Sequence, residues 1–189
     1  MSSPRVIILL GRSGSGKGTQ GEFLRQKLEP CLYVYTGDSF RQLAHKNSVA
    51  GRKVKQVMDA GGLPPEWLAA FLWQRELLDN LRGGESIIFD GTPRRLDEAK
   101  EMDKTLGWLG WTNITAVLID ITEAEAMTRL LGRKRGDDDE AAIKNRLSWF
   151  ESDAAPAIDY YRATGRLVTV DGLGTVEEVW ERIKNALDI

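Results

Sequence analysis

Five short apolar runs that do not alternate with polar residues constrain this chain most strongly. Residues 6–10, 32–35, 86–89, 114–121 and 167–170 are rich in Val, Ile and Leu. A strand covered on one face alternates, whereas a strand covered on both faces does not, and covered strands belong to parallel sheets. Helical stretches lie between the runs. Residues 17–28 stop before Pro30, and residues 66–81 begin after Pro64 and Pro65 and end at Gly83 and Gly84. Thr122 with Glu125, and Thr175 with Glu178, have capping-box spacing. Strand and helix in alternation predict an α/β fold, a five-stranded parallel sheet with helices on both faces. The 189 residues suffice for one well-buried domain and are too few for two ordinary ones.

One connection is too long for a simple crossover. Roughly fifty residues separate Tyr35 from Ser86, and helical pieces fit at 39–47, 51–60 and 66–81. Residues 35–64 therefore read as a small helical insertion at the sheet edge. Ligands of open α/β sheets sit beyond the carboxyl ends of the strands, where such an insertion can serve as a cover.

The first run leads directly into Gly11-Arg-Ser-Gly-Ser-Gly16-Lys17, the spacing of a phosphate-binding loop. Glycines let successive backbone N–H groups turn inward around a phosphate, and the helix starting near Lys17 adds its positive dipole end. Lys17 can reach the outer phosphates as a point charge. The generic motif places Ser or Thr after the lysine, whereas here Gly18 intervenes before Thr19. Gly16-Lys-Gly18-Thr-Gln-Gly21, with Asp38 about twenty residues on, also fits a dinucleotide fingerprint. That fingerprint begins where the strand ends; Gly11 stands there and Gly16 does not, and Lys17 would have no task.

Composition narrows the chemistry. A formal net charge of -2 does not advertise nucleic acid or an anionic membrane as partner. Cys31 is the only cysteine and His45 the only histidine, so neither an internal disulfide nor a Cys-rich zinc site is expected. His45 reads as a surface residue. Residues 6–10 are too short for a signal-peptide core or a membrane span, which makes a reducing cytoplasm the expected location. Arg129, Arg133, Lys134 and Arg135 precede Asp137, Asp138, Asp139 and Glu140, a pattern that is also that of a solvated helix boundary.

Read through Lys17-Gly18-Thr19-Gln20, the loop resembles that of the adenylate kinase family of nucleoside monophosphate kinases, in which Gly-Lys-Gly-Thr-Gln is expected. Further segments agree in order, so the resemblance covers residues 6 to about 174. Thr36-Gly37-Asp38 with Arg41 is similar to the start of the family's acceptor-site helix, and Met58-Asp-Ala-Gly-Gly-Leu63 to the end of its acceptor insertion. Asp90-Gly91-Thr92-Pro93-Arg94 resembles its Asp-Gly-Phe-Pro-Arg segment. Arg135-Gly-Asp137-Asp138 followed by Arg146-Leu147 resembles its lid-closing motif, and Val170-Asp171-Gly172 its last strand.

The resemblance implies a P-loop nucleotide-binding fold and reversible transfer of the γ-phosphoryl group of Mg-ATP to AMP, giving two ADP. It implies a core of 1–34, 65–131 and 139–189, an acceptor insertion of 35–64 and a short lid of 132–138. Phosphoryl transfer to an ionised phosphate oxygen needs no general base, only positioning and cations. By resemblance, Gly14, Ser15, Gly16, Lys17, Gly18 and Thr19 hold ATP phosphates, with Arg129, Arg133 and Gly174 also on the donor side and Arg129 stacked on the adenine. Arg41 and Arg94 hold the acceptor phosphate, and Thr36, Gly62, Leu63, Pro64, Gly91 and Glu98 border the acceptor. Arg133, Arg135 and Arg146 surround the migrating group, and Asp137 and Asp138 brace the arginines. Asp90 orients waters on Mg²⁺ with no direct protein ligand. No zinc is implied, because this lid has neither length nor cysteines, and a monomer is expected.

Three residues depart from the family at the acceptor base. Glu98 stands for a glutamine, Thr92 for a phenylalanine and Pro64 for a valine. An ionised Glu98 can accept from adenine N6 but cannot donate to N1, and its two acceptors suit guanine N1–H and N2–H better. Alternatively Glu98 sits one turn off and faces solvent. A kinase preferring GMP or a pyrimidine monophosphate, or a non-catalytic ATP-binding module, therefore stays open. Trp67 and Trp149 either touch nucleotide or pack.

Overall fold

A computed structural model describes residues 4–133 and 139–189. Five parallel strands form one sheet: β1 Val6–Leu10, β2 Cys31–Tyr35, β3 Ser86–Asp90, β4 Ile114–Asp120 and β5 Leu167–Asp171, in the order β2-β3-β1-β4-β5. All five apolar runs are strands, and β1, β3 and most of β4 are buried on both faces. β1 is central. Its Val6, Ile8 and Leu10 enter a core that includes Trp73, Phe89, Met102 and Tyr161. Ile7 and Leu9 enter another core with Leu24, Ile119 and Ile183. The unalternating run thus feeds two hydrophobic layers, one per face.

Helices α1 Lys17–Lys27 and α9 Val176–Leu187 cover one face, and α4 Glu66–Asn80, α5 Leu96–Leu109 and α8 Ala155–Ala163 the other. α9 carries the full capping box expected at Thr175 and Glu178. At α6, Glu123–Gly132, Thr122 accepts from the Glu125 N–H in the same manner. Gln20 of α1 is buried and donates to the Val176 carbonyl at 2.9 Å, pinning α1 to the start of α9.

Between β2 and α4 lie α2 Thr36–Ala44 and α3 Val49–Asp59. α2 begins at the residue after β2, three positions before the sequence reading placed it, with the Thr36 hydroxyl anchored on the Asp90 carbonyl at 3.3 Å. α3 begins two residues earlier than expected, because Ser48 caps it by accepting from Gly51 N–H at 3.0 Å. Phe40, Val54, Leu68, Ala69 and Leu72 pack these helices onto α4.

Past residue 138 come α7 Glu140–Trp149, a π-helical turn Phe150–Ala154, and α8. Pro156 offers no N–H to the Ser152 carbonyl, and the helical ladder changes register there. Ile143 and Leu147 of α7 pack on Ala126 and Leu130 of α6.

Candidate active site

The carboxyl ends of β1 and β3 adjoin, with Leu9 in register with Asp90. The connections leaving β1 and β3 cross to opposite halves of the sheet, which opens a crevice at this end. The crevice is a cleft of about 920 Å³.

The loop after β1 turns through left-handed glycines at Gly11, Gly14 and Gly16. At Gly11 no other residue fits, since a Cβ would stand 2.5 Å from the Ile119 carbonyl oxygen. Ser15 is buried, and its N–H donates to the Arg12 carbonyl at 3.1 Å. Lys17 folds back over the loop, donating to the carbonyls of Gly11 at 2.7 Å and Arg12 at 2.8 Å. Burial pulls its ammonium down to about 8 against the support of Asp90, with Arg94 and Arg133 pushing the same way as burial. A cation so disfavoured is a cation poised to gain from arriving phosphate charge.

Asp90 is 3% exposed, and the Tyr33 hydroxyl donates to its Oδ2 at 3.0 Å. The chain then turns at Gly91, whose carbonyl accepts from Arg94 Nε at 2.8 Å. The Arg94 guanidinium lies over the Trp149 ring, 5.2 Å from its centroid. Its proton affinity is lowered by burial foremost. Arg41 pairs with Asp38 and lies 5.1 Å from the Tyr35 ring centroid. Arg129 donates to Glu125 at 2.6 Å and to the Gly172 carbonyl at 3.0 Å, which binds α6 to the end of β5.

Most residues named from the sequence converge here. Gly14, Gly16, Lys17, Gly18, Thr19, Arg129 and Arg133 line the cleft. Thr36, Arg41, Gly62, Leu63, Pro64 and Glu98 line it as well, together with Asp90, Gly91, Arg94 and Arg146. Ser15 sits behind its loop and Gly174, at φ 101°, lies past β5; neither lines the cleft. Arg135, Asp137 and Asp138, and all of the expected lid except 132 and 133, lie outside the described residues.

Glu98 does not face solvent. It is 4% exposed in the first turn of α5, and each carboxylate oxygen accepts a protein donor. Oε1 takes the Thr92 hydroxyl, and Oε2 the Arg94 N–H at 2.7 Å. Burial raises its proton affinity, and the Thr92 and Arg94 bonds hold it back. Trp67 is 67% exposed and lies outside the cleft lining. Trp149 packs, donating to the Gly61 carbonyl at 3.1 Å beneath Arg94.

Sequence reasoning missed Tyr33 and Tyr35, which also line the cleft. They look like ordinary strand residues, and only the parallel pairing of β2 with β3 brings them beside Asp90. It also missed the clasp between α7 and the end of α3, where Asn145 donates to the Ala60 carbonyl at 2.6 Å beside the Trp149 bond.

The donor set suits Mg²⁺ better than zinc. Among the described residues no group of three or more His, Cys, Asp or Glu could hold a metal directly. One buried carboxylate beside a phosphate loop fits an ion that keeps its waters and takes phosphate oxygens.

Comparison with known proteins places these features in a family. The model of the adenylate kinase family matches residues 9–166. The adenylate kinase of Thermus thermophilus is 37% identical over 193 residues, covering 100% of both chains. That of Leptospira biflexa is 34% identical, covering 96% of this chain and 98% of its own. That of Mycolicibacterium vanbaalenii is 37% identical with the same coverage of both. With the phosphate loop at the end of β1 and arginines from α2, the turn after β3, the end of α6 and α7 lining the same cleft, the chain belongs to the adenylate kinase family.

Proposed function

We propose that this enzyme transfers the γ-phosphoryl group of Mg-ATP to AMP, reversibly, giving two ADP. The observation that carries the reading is that Lys17, Asp90, Arg94, Arg133 and Arg146 line one cleft of about 920 Å³. ATP would lie on the loop side. Lys17 would exchange the Gly11 and Arg12 carbonyls for phosphate oxygens, and Arg129 would lie over the adenine. AMP would lie on the α2–α3 side, its phosphate held by Arg41 and Arg94.

The attacking phosphate oxygen is already ionised, so the protein's work is alignment and charge stabilisation. Arg133 and Arg146, with Arg135 from the segment 132–138, would take up charge on the migrating group. Mg²⁺ supplies neutralisation of phosphate charge when bound, and Asp90, held by Tyr33, would orient its waters. Residues 35–64 act in this reading as the acceptor cover and 132–138 as a short lid, both excluding water. The reading suits a cytoplasmic monomer. A coupled assay for ADP formation with Mg-ATP and AMP tests it; absence of turnover sinks it.

A further inference from the structure

Arg12 belongs to the phosphate loop but does not line the cleft. Its guanidinium lies 4.2 Å from the centroid of the Phe150 ring, and Nη2 donates to the Glu151 carboxylate. Glu151 is 68% exposed, so water screens the ion pair, whereas the Arg12 side chain is only 15% exposed and its stacking on Phe150 is sheltered. Arg95, the N-cap of α5 and the neighbour of Arg94, meets the same short segment: its Nε donates to Asp153 Oδ1 at 2.8 Å. Burial works against the Asp153 charge, but the bonds from Arg95 and Ser152 outweigh it and hold its proton affinity below the usual carboxylate value. Glu151 and Asp153 stand two residues apart in a helical turn and so leave it on different sides. One π-helical turn, Phe150–Ala154, therefore holds an arginine of the phosphate loop and an arginine beside the acceptor-phosphate clamp.

The sheet alone does not fix these two loops against each other. β1 and β3 pair as far as Leu9 and Asp90, and the loops run on beyond that pair. A cavity of about 30 Å³ is lined by Gly11 and Ser13 of one loop, Thr92 and Pro93 of the other, and Trp149 and Ala154 at the two ends of the π-helical turn. Packing there is incomplete, yet a misplacement of about 1 Å can cost about a hundredfold in rate. We propose that Arg12 and Arg95 are positioning residues, braced by the π-helical turn so that the phosphate loop and the turn carrying Arg94 keep one separation. The inference rests on the phosphotransferase reading above. Each arginine acts through the backbone of its own loop: the Arg12 carbonyl takes Lys17 Nζ at 2.8 Å, and Arg94 is joined directly to Arg95.

The test is calorimetry on wild type, Arg12→Ala, Asp153→Ala and the double variant, with ATP, AMP and a ligand joining two adenosines through five phosphates. The quantity read is the association constant of the linked ligand divided by the product of those of ATP and AMP, which reports how well the two sites are aligned. Either single change releases one end of the brace and is expected to lower this ratio by about tenfold, with ATP and AMP affinities each within about twofold of wild type. A brace cut at either end is already cut, so the double variant is also expected to lose about tenfold. kcat is expected to fall in parallel. Unchanged ratios, or a double variant that loses the product of the two singles, overturn the inference and leave the phosphotransferase reading standing. A loss of ATP affinity in Arg12→Ala as large as that of the linked ligand would mean that Arg12 holds phosphate itself, and also overturns it. Linked ligand and ATP binding equally to wild type would overturn both readings. Should Arg12→Ala fail to fold, Glu151→Ala loosens the same end at an exposed position. A fewfold drop in the ratio is then expected, since the Phe150 stacking remains, and no drop overturns the inference.

Discussion

Lys17 shows how one side chain can be costly to the empty protein and useful to the loaded one. Its ammonium is held by two carbonyls of its own loop yet pulled down to about 8, foremost by burial. In the unfolded chain its ordinary value is 10.5, so between about 8 and 10.5 the unfolded state binds the extra proton, and stability contributed by this group rises with pH there. At neutral pH the charge is a burden on the empty fold. Lys17→Met is therefore expected to keep or raise Tm at pH 7 in a thermal melt. The same change is expected to lower kcat/KM by about a hundredfold or more, since a contact made strongest in the transition state is lost. For wild type, kcat/KM for Mg-ATP reports the free enzyme and is expected to fall as pH rises past about 8, where the lysine neutralises. A profile flat to pH 10 would contradict that role.

Among the elements, α7 joins functions that the chain order keeps apart. It carries Arg146 to the cleft, and through Asn145 and Trp149 it holds the carbonyls of Ala60 and Gly61 at the end of α3. Gly61 is left-handed at φ 70°, and a Cβ there would stand 2.1 Å from the Ala142 carbonyl oxygen. Gly61→Ala must push α7 from the insertion or strain the turn. It is expected to cost about 2 kcal/mol in denaturant unfolding and to raise KM for AMP well above any change in KM for ATP. Trp149→Phe keeps an aromatic face under Arg94 but loses the bond to Gly61. A milder rise in KM for AMP, a fewfold, is expected from steady-state kinetics. Equal effects on both substrates would show that the clasp does not belong to the acceptor side.

At the scale of the whole molecule, the proposed function puts two nucleotides in one cleft of about 920 Å³. In that reading ATP alone would engage the phosphate loop, whereas a ligand joining two adenosines through five phosphates would engage the donor and acceptor sites at once. Linking the halves removes the cost of bringing a second nucleotide in separately. Calorimetry is expected to give such a ligand a Kd at least about a hundredfold below that of ATP. Equal affinities would mean that the chain has a single nucleotide site.

Much of this was legible from residues in order. Short unalternating apolar runs with longer helical patterns between them point to a covered parallel sheet; β1, β3 and most of β4 are buried on both faces, whereas the edge strands β2 and β5 are only partly covered. The phosphate loop is local: its glycines and lysine are neighbours in sequence, and their chemistry does not wait on distant contacts. The sequence by itself therefore determined the fold class, the loop and the arginines to look for. Only the tertiary structure decided that Glu98 is buried rather than facing solvent, because its burial and its bonds to Thr92 and Arg94 depend on how the turn after β3 packs against α5. It alone decided that Tyr33 meets Asp90 and that Trp149 meets Gly61, 57 and 88 residues apart along the chain. Those contacts are set by parallel pairing and helix packing across the core, and a one-dimensional pattern carries no record of which distant side chains will share a face.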